Sequence, residues 1–149
     1  MNTLHDSLEG KPNGYFMLDV FVDGELVEHF EEKNLIVDNS KQIHAKLLGG
    51  AFANQNIAQI GFGTNGAAPV AGNSSLTNGY TKAIDSVSYP ATNQVQFNFS
   101  LASSENNGMA ILEFGLITAG GALYARKVRS APLNKDSDVS LNGSWIISF

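Results

Sequence analysis

The feature that most limits the fold is a β-hairpin signal near the start of the chain. Residues 15–22 and 25–30 are two runs rich in β-branched and aromatic residues, and only Asp23-Gly24 separates them. Asp-Gly readily adopts the backbone angles of the tight turns that join neighbouring antiparallel strands. The chain is therefore expected to begin its ordered structure with an antiparallel hairpin.

Further strand patterns follow along the chain. Residues 93–101 alternate apolar and polar side chains, which is typical of an antiparallel strand with one buried face. The last run, residues 139–149, places its large apolar side chains on one face in the same way. Short runs of this kind, separated by Gly-, Asn- and Pro-containing turns, predict about eight strands in all. The side chains predicted to be largely buried are Phe97, Phe99, Trp145, Ile147 and Phe149.

One helix is predicted, within Asn39–Leu48. Asn39 and Gln42 have the spacing of a capping box, in which two side chains bind the free amides of the first helical turn. Gly49-Gly50 follows the last apolar residue and can end the helix in a left-handed conformation. The pattern predicts two or three turns.

The chain has 149 residues, the size of one domain. Residues 1–14 are polar and contain Pro12, so we expect a flexible N-terminal arm followed by a single domain over residues 15–149. The predicted fold class is mainly β: an antiparallel β-sandwich or barrel-like fold with one short helix. Within the arm, Leu4 and Leu8 are apolar points at i and i+4, and we predict that they contact a neighbouring subunit.

The charge balance argues against some partners. The net charge is -5, whereas nucleic-acid binding needs clustered Lys and Arg. The basic residues Arg126, Lys127 and Arg129 divide between two faces of a strand, and we interpret them as a solvated strand end. Cysteine is absent, which excludes disulfides and thiolate metal sites, and no apolar run approaches the length of a membrane span. We expect neither nucleic acid nor membrane as a partner.

Histidine is too scattered to predict a catalytic centre. His5 lies in the arm, His29 near a strand end and His44 in the predicted helix, and no Gly-x-Ser-x-Gly elbow is present. A serine nucleophile needs a histidine that is itself oriented by a third group. We therefore predict three surface histidines and no catalytic residue.

Metal and cofactor sites are not predicted either. Glu31 and Glu32 are adjacent, so a strand would point them to opposite faces, and Asp136 and Asp138 lie on a predicted solvated loop edge. Residues 61–66 match Gly-x-Gly-x-x-Gly, but a loop of small residues follows them instead of the helix that a phosphate site requires. No metal and no cofactor is expected.

Glu113 stands out as a carboxylate inside an apolar run. If buried, it would need a partner such as Arg126 on the following strand, because an unpaired buried charge is very unfavourable. The alternative is exposure on the outer face of the sheet. Both interpretations are structural.

From Asn34 onward, several turns and strands follow one another in a characteristic order. Its features are Asn34-Leu35-Ile36-Val37-Asp38 before the helix, Ile60-Gly61-Phe62-Gly63-Thr64 before an Ala/Pro/Gly loop, Glu105-Asn106-Asn107-Gly108 before Ile111-Leu112-Glu113-Phe114-Gly115-Leu116, Ala125-Arg126-Lys127-Val128, and the terminal Trp145-x-Ile147-x-Phe149. This order resembles small structural virion proteins of tailed bacteriophages, of the tail, tail-fibre or baseplate type. The hairpin of residues 15–30 is an addition in front of that pattern.

This resemblance implies a non-enzymatic component of the tail, baseplate or fibre-attachment region, made in the bacterial host cytoplasm and located in the virion. Its expected partners are other virion proteins and copies of itself. A capsid decoration protein is the alternative within that class. A carbohydrate-binding β-sandwich is the alternative outside it, with Trp145 and the tyrosines Tyr15, Tyr80, Tyr89 and Tyr124 as possible platforms for sugar rings. The alternation of Trp145 with Ile147 and Phe149 favours a core position for the tryptophan.

Overall fold

A computed structural model of the chain describes residues 11–149. Leu4 and Leu8, and with them the predicted subunit contacts, lie outside the described residues. The elements of the described part are β1 (Asn13–Val22), β2 (Glu25–Ile36), α1 (Asn39–Leu48), β3 (Ile57–Gly63), β4 (Tyr80–Ala83), β5 (Ser86–Ser88), β6 (Gln94–Leu101), β7 (Ala110–Thr118), β8 (Leu123–Asn134) and β9 (Val139–Ser148).

The strands form one antiparallel sheet that curls into a half-barrel. Their order across the sheet is β4-β3-β7-β8-β2-β1-β9-β6-β5. Of the described residues, 54% are in strands, and the same part of the chain contains one short helix. The predicted fold class, mainly β with a sandwich or barrel-like arrangement and a single short helix, is confirmed.

The hairpin at the start of the sheet is also confirmed. β1 and β2 pair in antiparallel register, and Asp23 and Gly24 between them have φ angles of 51° and 81°. These positive angles match the twist of the flanking strands, which is why Asp-Gly suits this turn. β2 continues past the predicted end at Phe30 and pairs through Leu35 and Ile36 with β8. It therefore links the two halves of the curled sheet.

The two edges of the sheet are consecutive in the chain. Only Ile84 and Asp85 separate β4 from β5. The Ile84 amide donates to the carbonyl of Ala58 on β3, and the Asp85 amide donates to the carbonyl of Asn98 on β6. The segment thus leaves one edge of the half-barrel and joins the other, and residues 11–149 contain nine strands instead of the predicted eight or so.

The core lies between the two facing halves of the sheet. Phe16 on β1 contacts Phe114 on β7 with ring centroids 4.8 Å apart, and it meets Trp145 on β9 edge-on at 4.9 Å. The Trp145 indole N–H donates to the side-chain oxygen of Asn34 at 2.7 Å, so its one polar group is satisfied inside the protein. These rings join the two halves across the core.

Four of the five predicted core residues are buried. Phe97, Phe99, Trp145 and Ile147 are each less than a tenth exposed, whereas Phe149 is 55% exposed. The prediction for Phe149 was wrong because β9 ends at Ser148. Beyond that point the Phe149 amide bonds to the Asn93 carbonyl, but the side chain lies at the open end of the half-barrel.

The helix α1 spans the predicted residues, but its predicted capping box is wrong. The N-cap is Asp38, and its side chain makes no capping hydrogen bond. Instead, the first amides bind backbone carbonyls of the preceding turn, with Ser40 donating to Val37 and Lys41 to Asp38. At the other end Gly50 has the left-handed φ of 89°.

β8 continues past the basic residues and includes a proline. The strand runs to Asn134 and includes Pro132. Its pairing with β7 shifts: Ile111 pairs with Leu133, whereas Glu113 pairs with Val128. The residues between these two positions form a bulge, which accommodates a proline because no ladder hydrogen bond is required there.

Glu113 and Arg126 form a fully buried ion pair, as predicted for a buried Glu113. The Arg126 Nε donates to Glu113 Oε1 at 2.7 Å. The other carboxylate oxygen, Oε2, accepts from the backbone amides of Asn65 at 3.0 Å and Thr77 at 2.8 Å. The carboxylate therefore fixes both ends of the loop between β3 and β4 against β7.

The guanidinium completes this network. Arg126 donates from one terminal nitrogen to Asn73 Oδ1 and from the other to the Asn65 carbonyl, both at 3.0 Å. Arg126 is thus buried, so the predicted solvated strand end is wrong for this residue. It is also wrong for Lys127, which is nearly buried, donates to the Lys33 carbonyl, and lies over the Phe30 ring.

We expect Glu113→Ala to destabilise the fold by about 3–5 kcal/mol, because it leaves the Arg126 charge buried without its partner. The free energy of unfolding in urea measures this. Glu32→Ala is the matched control, since Glu32 is largely exposed and lies 3.4 Å from the Lys127 ammonium. It should cost less than about 1 kcal/mol. Equal losses in the two variants would contradict the assigned role of the buried pair.

The contrast between the last two aromatic residues gives a second prediction. Trp145→Ala removes a buried ring that contacts Phe16, and it should cost about 3–5 kcal/mol of unfolding free energy. Phe149→Ala removes a half-exposed ring and should cost no more than about 1 kcal/mol. Thermal and urea unfolding of both variants test the assignment. A tryptophan variant as stable as the unsubstituted protein would show that Trp145 is not a core residue.

Candidate functional site: an apolar groove at the open end of the half-barrel

The principal cavity of the described residues is a groove of about 330 Å³ at one end of the half-barrel. Here the two halves of the sheet diverge, and α1 lies over the gap between them. Its apolar walls come from α1, β3, β6 and β9: Ile43, Leu47, Ile57, Val95, Phe97 and Ile147. A concave, mostly apolar surface of this size is suited to binding another molecule.

The rim of this groove is apolar as well. Val87, Tyr89 and Phe149 line the opening and are 45%, 75% and 55% exposed. Several large apolar side chains concentrated around one cavity are typical of a surface that another molecule covers.

Besides Gln55 and Asn56, a hydrogen-bonded pair of polar side chains lines the groove. His44 Nε2 is 2.8 Å from the Tyr124 hydroxyl, and the His44 ring also packs edge-on against Phe149. Burial lowers the pKa of His44 and raises the pKa of the Tyr124 hydroxyl. Both shifts favour the neutral forms, so the pair offers a neutral hydrogen bond to an occupant and no charge. His44 is partly buried, so its predicted surface position was wrong.

The second described histidine lies on the exposed face of the β1–β2 hairpin. The ring nitrogens of His29 bind two carboxylates, Nδ1 contacting Asp19 and Nε2 lying 2.9 Å from Glu31 Oε2. Both hydrogen bonds raise the pKa of His29, and the bond to Asp19 has the larger effect. Ser144 lines the same shallow depression, but neither ring nitrogen is free to serve it as a base. The arrangement is an ion-paired surface cluster.

The remaining predicted carboxylate positions do not converge. Glu31 and Glu32 bind different partners, the first His29 and the second Lys127, as expected for opposite faces of a strand. Asp136 and Asp138 are exposed. Across residues 11–149, no group of three or more His, Asp or Glu side chains is arranged to hold a metal ion.

Sequence reasoning missed the groove and also a buried lysine. The Lys135 ammonium donates to the carbonyls of Ser103 and Asp136 and to the side chain of Asn107, which ties two loops together. No local pattern marks Lys135, because two of its three acceptors, on Ser103 and Asn107, come from a distant loop. The exposed Tyr89 before Pro90 was the only local sign of the groove rim, since a large aromatic at a strand end rarely remains uncovered.

Comparisons with protein-family models, with curated proteins and with solved structures find no match for this chain. The function therefore has to be argued from the groove and its surroundings. In the part of the chain that the structure covers, no helix combines the length and apolarity needed to cross a membrane.

The two histidines should titrate on opposite sides of the ordinary value of 6.5. His29, with a raised pKa, adds stability that is complete below pH 6.5 and is lost as pH rises through its folded pKa. His44, with a lowered pKa, favours folding above pH 6.5, and this contribution is lost as pH falls through its folded pKa. NMR titration of the imidazole protons, with His29→Gln and His44→Gln for assignment, measures both. A His44 pKa at or above that of His29 would contradict the buried position in the groove.

Proposed function

We propose that this chain is a non-enzymatic structural component of a tailed-phage virion. It works in the tail, baseplate or fibre-attachment region by assembling with copies of itself and with other virion proteins. The observation that carries this proposal is the apolar groove with its uncovered rim of Val87, Tyr89 and Phe149. A protein partner would remove this surface from water, which is the main favourable term in association.

Buried polar contacts away from the groove order two loops of the scaffold that carries it. The buried Glu113–Arg126 pair fixes the long loop between β3 and β4, and the Lys135 ammonium fixes the loop between β6 and β7. Preorganised surfaces lose little conformational entropy on association. The polar pair in the groove is neutral, and the nitrogens of His29 are engaged, so the described histidines support binding and not catalysis.

A capsid decoration role remains the alternative within the class of virion proteins, because the same surface would serve assembly on a capsid. Position in the particle separates the two. The carbohydrate-binding alternative loses its main platform, since Trp145 is fully buried, but Tyr89 is 75% exposed beside the groove and could stack on a sugar ring. Binding on a glycan array that disappears in Tyr89→Ala would favour this second function.

The test is association with virus particles. Virions are produced from a bacterium whose phage or prophage carries the gene, and they are purified as a band in a density gradient. They are then labelled with a gold-conjugated antibody against the protein and viewed by electron microscopy. We expect the protein in the particle band and gold label on the tail or its tip. Label on the head would favour capsid decoration. Virions that assemble normally without any of the protein would overturn the structural role.

A further inference from the structure

We propose that Leu4 and Leu8, in the ten residues before the described part, dock into the apolar groove of a second copy of this chain. The inference rests on the proposed function, in which the chain assembles with itself. The proposed occupants of the groove are the same two leucines that the sequence predicts to contact a neighbouring subunit.

The N-terminal segment begins beside the groove. Asn13, the first residue of β1, pairs with Ser148, and Phe149 continues β9 to the groove rim. β1 and β9 are antiparallel, so the chain before Asn13 and the chain after Ser148 leave the sheet at the same end. That end is the open end of the half-barrel. Any contact made by residues 1–10 therefore starts close to the groove.

The direction of exit favours a neighbouring copy over the same chain. Pro12 has a fixed φ, and the residue before a proline, Lys11, is restricted to extended conformations. Lys11 and Pro12 therefore extend the chain beyond the first pair of the sheet at this end, Asn13 with Ser148. A second copy that faces this end of the molecule lies ahead of that extended stretch.

The chemistry of the segment fits the groove. Leu4 and Leu8 are spaced i, i+4, so one turn of helix would present both on the same face. The groove offers about 330 Å³ between aliphatic and aromatic walls, enough for more than one aliphatic side chain. With residues 4–8 in that turn at ~1.5 Å per residue and the chain from there to Lys11 extended at up to ~3.5 Å per residue, Leu8 can lie about 10 Å and Leu4 about 16 Å from Lys11. Both distances suffice to bridge two molecules in contact.

The arrangement can be reciprocal. Because the groove and the start of the segment lie at the same end of the molecule, two copies related by a two-fold axis can each donate a segment and each receive one. The exposed side chains around the opening, Val87, Tyr89 and Phe149, then face the partner instead of water. The exchange would close both grooves in a symmetric dimer.

Disulfide trapping tests this directly, because the chain has no cysteine. Leu8→Cys and Val87→Cys, carried on two proteins of different tagged mass, are mixed and oxidised. We expect a mixed disulfide dimer on a non-reducing gel. The matched control replaces Val87→Cys with Ser137→Cys, which is exposed beside Asp138 at the opposite end of the molecule, where the Asp23 amide binds the Asp138 carbonyl. It should give at least tenfold less mixed dimer.

Two results would overturn the proposal. A Leu8→Cys, Val87→Cys double variant that closes a disulfide within the monomer, while the mixed sample gives no dimer, would place the segment in its own groove. A mixed dimer no more abundant than in the Ser137→Cys control would remove the groove as the docking site. Both results can coexist with association of the protein with virions, so the proposed function and this inference fail separately.

A second measurement uses oligomeric state. Leu4→Ser with Leu8→Ser should shift the protein from dimer to monomer in sedimentation equilibrium, whereas Thr3→Ser with Ser7→Thr, which changes the residues directly before the two leucines, should leave the dimer intact. None of the four positions lies in the elements between Asn13 and Ser148, so circular dichroism should show those elements unchanged. A wild-type protein that is monomeric, or a leucine variant that dimerises as well as the wild type, contradicts the inference.

Discussion

The contact between Phe16 and Phe114 is the interaction on which the rest of the structure depends. A single antiparallel sheet has to bury its apolar face against another layer. In this protein, that layer is the other half of the same sheet. Phe16 brings β1 to within 4.8 Å of the Phe114 ring on β7, and Trp145 packs beside it from β9. The short link at Ile84 and Asp85, which bonds to both edges, then keeps the two halves together.

Burying a charge in this scaffold serves to order a loop. Glu113 and Arg126 lie on neighbouring strands, and their remaining hydrogen-bonding atoms all contact the connection between β3 and β4. That connection is rich in small residues and has little apolar surface of its own to hold it in place. A buried ion pair adds little net stability compared with apolar packing, but its geometry is demanding, so it selects one loop conformation.

The groove lies at one end of the half-barrel. α1 contributes to its lining, and the groove keeps an exposed apolar rim. β1 begins and β9 ends at this same end, so Asn13 and Phe149 both lie close to the groove. The proposed assembly surface is at this end of the molecule.

Local chemistry in the sequence determined the hairpin at Asp23-Gly24, the limits of α1 and most of the buried strand positions. Turn residues and two-residue alternation carry that information without reference to distant parts of the chain. A partner for a buried Glu113 could also be predicted, since a carboxylate in an apolar run demands one. The exposure of Phe149, the division of β4 from β5, and the groove were decided only by the tertiary structure. The first two depend on what lies beyond the end of a strand or across the barrel. The walls of the groove come from elements that are far apart in sequence, so no local sequence pattern indicates it.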